Sequence, residues 1–181
     1  MGKGDFTLGE PLSAGWAKVK ENIGLAIGIT IVYYIIVMLC TYIIGIGWIV
    51  GFFIMGPVLY GFAGVFLDMV NSKKPEFGRL FSGFGQFGRS FVGYFTMLFF
   101  GFLWMCLFVI PGIIAFLRYS LTFFVLNDNP ELSGNQARKK SCELTKGHKG
   151  KIFIYNILFI IPIIGPPLSY GALGDLYNRV K

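Results

Sequence analysis

The chain has 181 residues, of which 55% are hydrophobic, 18% aromatic and only 14% charged, and its formal net charge is +7. Soluble domains contain about 45–50% apolar and about 25% charged residues, so this composition excludes an ordinary soluble protein and predicts an integral membrane protein. The basic residues lie beside apolar runs, where anionic lipid headgroups are nearer than any nucleic acid. We therefore expect membrane lipids, and no nucleic acid, as partners.

The first predicted element is a short amphipathic helix over Pro11–Ile23. Its apolar residues Leu12, Trp16, Val19 and Ile23 are spaced four, three and four apart, which keeps them on one helical face. A helix of this kind lies in the plane of the membrane interface, and an aromatic residue such as Trp16 anchors it there. No cleavable leader is predicted before it.

Two long apolar runs dominate the chain. Asn22–Leu67 has 46 residues without a charge, and Ser90–Asn127 has 38 residues with one charge, Arg118. About 20 residues cross a bilayer, so each run is long enough for two helices. The first run is predicted to turn near residues 45–47 and the second at residues 110–112. Each run is therefore predicted to be a transmembrane hairpin.

A basic segment precedes the second hairpin, and another follows it. Met69–Arg89 is predicted to form a second interfacial helix, because several apolar residues keep helical spacing. These are Phe77, Leu80, Phe81, Phe84 and Phe91. In the later segment, Ser133 and Gln136 have the spacing of a capping box, which predicts a third helix beginning at Ser133.

The last apolar run, Ile152–Gly174, leaves two alternatives open. Its 23 uncharged residues are ample for one span and short for two, and Pro162, Pro166 and Pro167 interrupt them. A clipped hairpin would place all sixteen Lys and Arg except Arg118 on one side of the membrane. Because that side is normally the cytoplasm, we favour the hairpin, with both termini cytoplasmic.

The three units together predict an internal repeat. Trp16, Phe81 and Cys142 occupy like positions, separated by 65 and then 61 residues. The predicted copies are residues 11–71, 76–129 and 132–178, the last with a shortened hairpin. The expected fold is a single all-α membrane domain of six transmembrane helices, arranged as three hairpins, each preceded by an amphipathic interfacial helix, with pseudo-threefold symmetry.

Three segments, residues 107–120, 127–132 and 140–149, closely resemble the bacterial integral-membrane family known as domain of unknown function 975. The likeness includes Ile-Pro-Gly at residues 110–112 and Asn-Asp-Asn-Pro at residues 127–130. It implies a multi-pass protein of the bacterial cell membrane and brings no established activity. The chain departs from the family after Phe159, where the family has a longer last hairpin.

Arg118 is the first candidate functional residue, because it is the only charge within an apolar run. A charge at the bilayer centre costs about 2.5–3.5 kcal/mol on insertion scales and marks a site or a packed partner. No Asp or Glu lies in any apolar run. The expected partners are therefore carbonyls, side chains such as Tyr34 or Asn156, water, or a bound anion. Arg118 is predicted either to tie the hairpins together or to bind an anion or lipid.

Further candidates lie near the predicted interfacial helices. The candidate ligand or lipid-binding residues are Arg118, Arg138, Lys139, Lys140, Lys146 and Lys149. Asp68, Asp128 and Asp175 close the three hairpins, either as a polar ring or as helix-end groups paired with nearby Lys or Arg. His148, the lone histidine, is expected to have a surface role, since it has no neighbouring ligand residues.

The sequence has no nucleophile with a base, no paired carboxylates and no metal-ligand spacing, so it predicts neither an enzyme nor a metal or cofactor site. Two functions stay open. One is a lipid-interacting scaffold or accessory subunit that binds anionic headgroups, as a homo-oligomer or with another membrane protein. The other is a small transporter or channel for a solute, lipid or anion, with Arg118 lining the path.

Overall fold

A computed structural model describes residues 6–42, 47–107, 109–159, 161 and 163–181. This part of the chain contains ten α-helices, one short 3₁₀ helix and no strand, which confirms the all-α class. The α-helices are α1 (Gly9–Lys20), α2 (Ile23–Tyr42), α3 (Gly47–Val70), α4 (Ser82–Gly85), α5 (Phe87–Leu107), α6 (Val109–Tyr119), α7 (Thr122–Asp128), α8 (Gly134–Leu144), α9 (Lys149–Leu158) and α10 (Gly165–Val180). The 3₁₀ helix, Phe77–Phe81, precedes α4.

Four helical segments of the described chain are long and apolar enough to cross a membrane. They are Ile23–Cys40 in α2, Ile49–Val70 in α3, Phe87–Cys106 in α5, and Ile110–Asp128, which covers α6 and α7. The uncharged runs form such helices for two reasons. Their side chains are not stabilised by water, and a helix satisfies the backbone hydrogen bonds of the segment internally. The described residues therefore contain four candidate spans, and the prediction of six is not confirmed.

The last apolar run folds as two short helices, α9 and α10, that pack against each other. Their 10 and 16 residues correspond to about 15 and 24 Å of helix, less than the hydrocarbon core of about 30 Å. Pro166 and Pro167 lie in the first turn of α10, where proline removes no helical hydrogen bond. The predicted interruption at Pro162 lies outside the described residues.

The predicted turns differ from the observed ones. The turn expected at residues 110–112 is wrong, because these residues lie in the first turn of α6. The chain reverses earlier, between α5 and α6, which pack against each other. Pro111 is tolerated there since the first turn of a helix has free N–H groups in any case. Of the turn expected at residues 45–47, only Gly47 is described, and it begins α3.

The second interfacial segment is also not one continuous helix. It forms the 3₁₀ helix, the single turn α4 and then the start of α5. Leu80 is fully buried, whereas Phe77, Phe81 and Phe84 are exposed. A Cβ atom on Gly83 would lie only 2.0 Å from the carbonyl oxygen of Pro57. The segment therefore follows the surface of α3 at backbone contact instead of continuing as a regular helix.

The predicted start of the third interfacial helix is confirmed. The Ser133 hydroxyl accepts a hydrogen bond from the backbone N–H of Gln136, and the Gln136 side chain accepts one from the backbone N–H of Ser133. These two bonds form a complete capping box at the first residue of α8. Such a box satisfies two backbone donors that a helix end leaves without partners.

The core lies where three helices from distant parts of the chain meet. Its buried side chains come mainly from α3, α7 and α10, and include Leu67, Phe124 and Leu173. About half of the α3 and α6–α7 spans is buried, at 56% and 50%, against 17% for the α2 and α5 spans. The first helix of each long hairpin is therefore peripheral and the second is central.

The three predicted interfacial segments each pack on a core helix. The 3₁₀ helix and α4 pack on α3, α8 packs on α7 and α5, and α1 packs on α10. The α1 crossing is at backbone contact, because a Cβ atom on Gly15 would lie 2.2 Å from the carbonyl oxygen of Gly171. We expected α1 to rest on the membrane surface through its apolar stripe, but its Gly15 face is docked on the last helix.

Candidate functional site

Arg118 lies at the end of α6, against α8. Its backbone carbonyl accepts a hydrogen bond from the Ser141 hydroxyl at 2.7 Å, and the residue is half-buried. The expected partner Asn156 instead donates to the Ile152 carbonyl of its own helix at 2.9 Å. Arg118 is thus paired with the polar helix α8.

Arg138, one turn before Cys142 on α8, is only 8% exposed. Its guanidinium carbon lies 4.0 Å from the centroid of the Phe100 ring and 5.2 Å from that of Tyr119. Nε and Nη2 both donate to Oδ1 of Asn135, at 3.3 and 3.0 Å. Two aromatic faces and one amide oxygen therefore hold this cation in place.

Cys142 is buried on α8, one turn after Arg138. Burial raises the pKa of its thiol, although the positive charges of Arg118 and Arg138 act in the opposite direction. Within the described residues neither arginine forms an ion pair. We call Arg118, Arg138 and Cys142 the two-arginine site. It holds two positive charges, and in the described chain no carboxylate pairs with either.

The lysines predicted with these arginines have different surroundings. Lys139, Lys146 and Lys149 are exposed and make no ion pair in the described parts of the chain. Lys140 instead donates to the Asn129 side-chain oxygen at 2.8 Å. The structure thus brings Arg118 and Arg138 together, uses Lys140 in packing, and leaves three lysines on the surface.

The three aspartates at the hairpin ends each contact a basic side chain. Asp68 pairs with Arg79 at 3.0 Å, Asp128 with Lys181 at 3.0 Å, and Asp175 with Arg179 at 2.6 Å. This arrangement matches the second alternative for these residues, in which they are helix-end groups paired with nearby Lys or Arg. Because all three pairs are partly exposed, solvent screening keeps each contribution to about 1 kcal/mol or less.

Two further arginines connect elements in a way that sequence reasoning missed. Besides Asp68, Arg79 contacts the side-chain oxygen of Asn127 at 3.2 Å. Arg89 donates to the carbonyls of Leu126, Asn129 and Leu132 at 3.2, 2.8 and 2.8 Å. Those carbonyls lie at the end of α7 and in the loop after it. The last carbonyls of a helix have no hydrogen-bond partner within the helix. In the sequence, only the position of both arginines beside an apolar run could have indicated this role.

The residues before α1 also pack in a way that the sequence did not predict. The His148 ring stacks on Phe6 at 5.0 Å, and Lys151 lies 3.8 Å over the same ring while donating to the Phe6 carbonyl. The Tyr155 hydroxyl donates to the carbonyl of Leu8 at 2.6 Å. His148 is half-buried, so it packs against Phe6 while staying partly exposed. Burial, followed by the charge of Lys151, lowers its pKa.

A stripe of aromatic side chains covers the outer face of α5. Phe87, Phe91, Phe95 and Phe99 stack in sequence, with ring centroids 5.8, 6.2 and 6.0 Å apart. An open apolar groove of about 390 Å³ lies beside it. Its lining residues are Phe52, Phe95, Leu98, Phe99, Phe102, Met105 and Phe116. Such a surface is suited to hydrocarbon, and exposed phenylalanines continue from it onto the interfacial segment.

Comparisons with known protein families, with curated proteins and with solved structures find no match. The class of protein that the fold defines is a helical membrane protein with four candidate membrane-spanning helices. Family membership stays a prediction from the residues quoted above. The argument for function therefore depends on the geometry of the basic and aromatic surfaces.

Proposed function

We propose that the protein is a non-enzymatic, multi-pass membrane protein that binds anionic lipid and acts as a scaffold or accessory subunit in the membrane. One observation carries the proposal. Lys139, Lys146 and Lys149 are exposed and form no ion pair within the described residues, and the 3₁₀ helix carries the exposed Phe77 and Phe81. Both α8 and the 3₁₀ helix are tied to the end of α7, through hydrogen bonds from Lys140 to Asn129 and from Arg79 to Asn127. Proteins bind an anionic membrane surface by inserting apolar rings into it while neighbouring cations contact the lipid headgroups.

The proposed arrangement comprises three hairpin units around a pseudo-threefold axis, the third being a clipped hairpin that enters the membrane part of the way. The support is the order of packing, since each interfacial segment docks on the central helix of the preceding unit, and the first docks on the last. We propose the bacterial cell membrane as the location, with both termini cytoplasmic, because the basic segments flank the same ends of the hairpins. Membership of the domain of unknown function 975 family belongs to this proposal.

The expected strength follows from the charges. Each Lys or Arg close to an anionic membrane surface contributes about 1 kcal/mol, so the three exposed lysines of α8 and the following turn contribute about 3 kcal/mol. This attraction acts within about a Debye length, roughly 8–10 Å at physiological salt. We therefore expect preferential retention of anionic lipid that weakens as salt is added, while the apolar contacts of the phenylalanines do not change.

The test is native mass spectrometry of the protein released from bilayers of phosphatidylglycerol and phosphatidylethanolamine. The variant carries Lys139→Glu, Lys146→Glu and Lys149→Glu, and the matched control carries Lys→Arg at the same positions. The proposal expects bound phosphatidylglycerol, on the protein or on a defined oligomer of it, to fall in the Glu variant and to persist in the Arg control. Equal retention in both variants, or release of a bare monomer from the unchanged protein, would overturn it.

A further inference from the structure

A second open groove lies between α6 and α9, which pack against each other. We call it the α6–α9 groove. It has a volume of about 260 Å³ and is lined by Ile113, Phe116, Leu117, Phe153, Asn156 and Ile157. Its α6 side belongs to a candidate membrane span, so the groove opens toward lipid. Whole small-molecule sites measure about 300–1,000 Å³, so this groove accommodates part of a ligand, such as one hydrocarbon chain.

Asn156 is the polar side chain among these lining residues. Its amide donates to the Ile152 carbonyl at 2.9 Å and makes no other hydrogen bond within the described residues. A primary amide has two N–H groups and a carbonyl oxygen, so one donor and the acceptor remain. An unused donor is unfavourable beside hydrocarbon, because nothing there replaces water. A ligand of the groove is therefore expected to bring a hydrogen-bond acceptor to Asn156.

Lys149 adds a positive charge on the same side of α9. Lys149, Phe153 and Asn156 are spaced four and three apart, which places them on one helical face. Lys149 is exposed and forms no ion pair within the described parts of the chain. Seven residues of helix separate it from Asn156 by about 10 Å along the axis. The headgroup layer on each side of a bilayer is about 5–8 Å thick, so an ammonium at the level of the phosphates leaves Asn156 near the ester groups.

We propose that the α6–α9 groove binds one anionic glycerophospholipid. The lipid phosphate contacts the Lys149 ammonium, an ester carbonyl accepts a hydrogen bond from the free N–H of Asn156, and the acyl chain below that ester occupies the groove. The proposal rests on the lipid-binding function proposed above and gives it a site and a ligand class. An ether-linked lipid lacks the carbonyl and a zwitterionic lipid lacks the net negative charge, so each matches only half of the site.

Photo-crosslinking from two matched positions tests the site. Ile157 lines the groove and Ile31 in α2 does not, yet each lies eight residues after the first residue of its helix, and their exposed fractions are 46% and 43%. Each is replaced in turn by photo-leucine in the full-length protein, and mass spectrometry identifies the crosslinked lipid. One nanodisc preparation mixes phosphatidylglycerol with phosphatidylcholine. A second mixes ester-linked with ether-linked phosphatidylglycerol.

From position 157 we expect an about fivefold preference for phosphatidylglycerol in the first preparation and for the ester-linked lipid in the second. This factor corresponds to about 1 kcal/mol for each contact. Crosslinks from position 31 are expected to follow the overall lipid mixture. The same lipid ratios at both positions, or the absence of either preference at position 157, overturn the proposal.

Two variants separate the two contacts. Lys149→Gln is expected to remove the preference for phosphatidylglycerol and to keep the preference for the ester, whereas Asn156→Leu is expected to do the reverse. Persistence of the first preference in Lys149→Gln, or of the second in Asn156→Leu, would overturn the assignment. Lysine-dependent lipid retention in native mass spectrometry, together with equal labelling from positions 157 and 31, would preserve the general function and refute this site, so the two can fail separately.

Discussion

The crossing of α1 and α10 predicts a large effect from adding one methyl group, in the variant Gly15→Ala. The new Cβ would lie 2.2 Å from the Gly171 carbonyl oxygen, whereas ordinary contacts begin at 3.4 Å. The two helices must therefore separate by roughly 1.2 Å, and overpacking of this kind costs about 1–3 kcal/mol. The obstacle is backbone, which has no alternative rotamer with which to make room.

Gly28→Ala in α2 is the matched control, since nothing lies within 4 Å of its Cβ position. Removing a helical glycine there is expected to stabilise the protein by about 0.5–1 kcal/mol. The assay is equilibrium unfolding by SDS in mixed micelles, followed by circular dichroism and by the fluorescence of Trp16 and the other tryptophans. Because both substitutions replace a helical glycine, that gain cancels, and we expect the two variants to differ by about 1–3 kcal/mol. Equal stabilities would refute the docking of α1 on α10.

Three further predictions use the same unfolding assay. Arg89→Gln is expected to cost about 1–3 kcal/mol, because carbonyls at the end of α7 lose their donor; an unchanged midpoint would contradict this role. Asp68→Asn is expected to cost about 1 kcal/mol or less, and less still in high salt, because its pair with Arg79 is partly exposed; a loss independent of salt would argue against an ion pair. Because burial lowers the pKa of folded His148, the unfolded chain binds that proton more readily, and stability should fall as the pH drops below about 6.5. His148→Gln should remove this part of the pH dependence, and an identical pH profile in that variant would contradict the assignment.

Hydrophobicity and length predicted the spans well, because a long uncharged run has few alternatives to a membrane helix. The turns were harder to place. The proline at residue 111 indicated a break, but proline is compatible with the first turn of a helix, and the chain reverses before α6 begins. In the segment from Phe77, the periodic apolar residues indicated a helix. The contact of Gly83 with the backbone of α3 decides its path instead, and no local pattern encodes that contact.

The candidate site was predictable in part. Arg118 was identified because a lone charge in an apolar run is conspicuous, and the basic segment that contains Arg138 was identified by composition. Their approach to Cys142 depends on how α8 docks against α5 and α6, which is a tertiary property. Phe100, which stacks on Arg138, looked like any other phenylalanine in an apolar stretch. The sequence therefore indicated which side chains were unusual and did not indicate that they meet.

The docking of the first helix on the last has a consequence for biosynthesis. While the ribosome makes the chain, α1 emerges well before its partner α10, so Gly15 and Gly171 meet only after the helices between them have been made. Until then, the amphipathic stripe of α1 has the lipid interface as its best available location. The same helix would thus serve first as a temporary anchor to the bilayer and afterwards as the packing partner of α10. Docking of α1 would then wait until α10 has been synthesised.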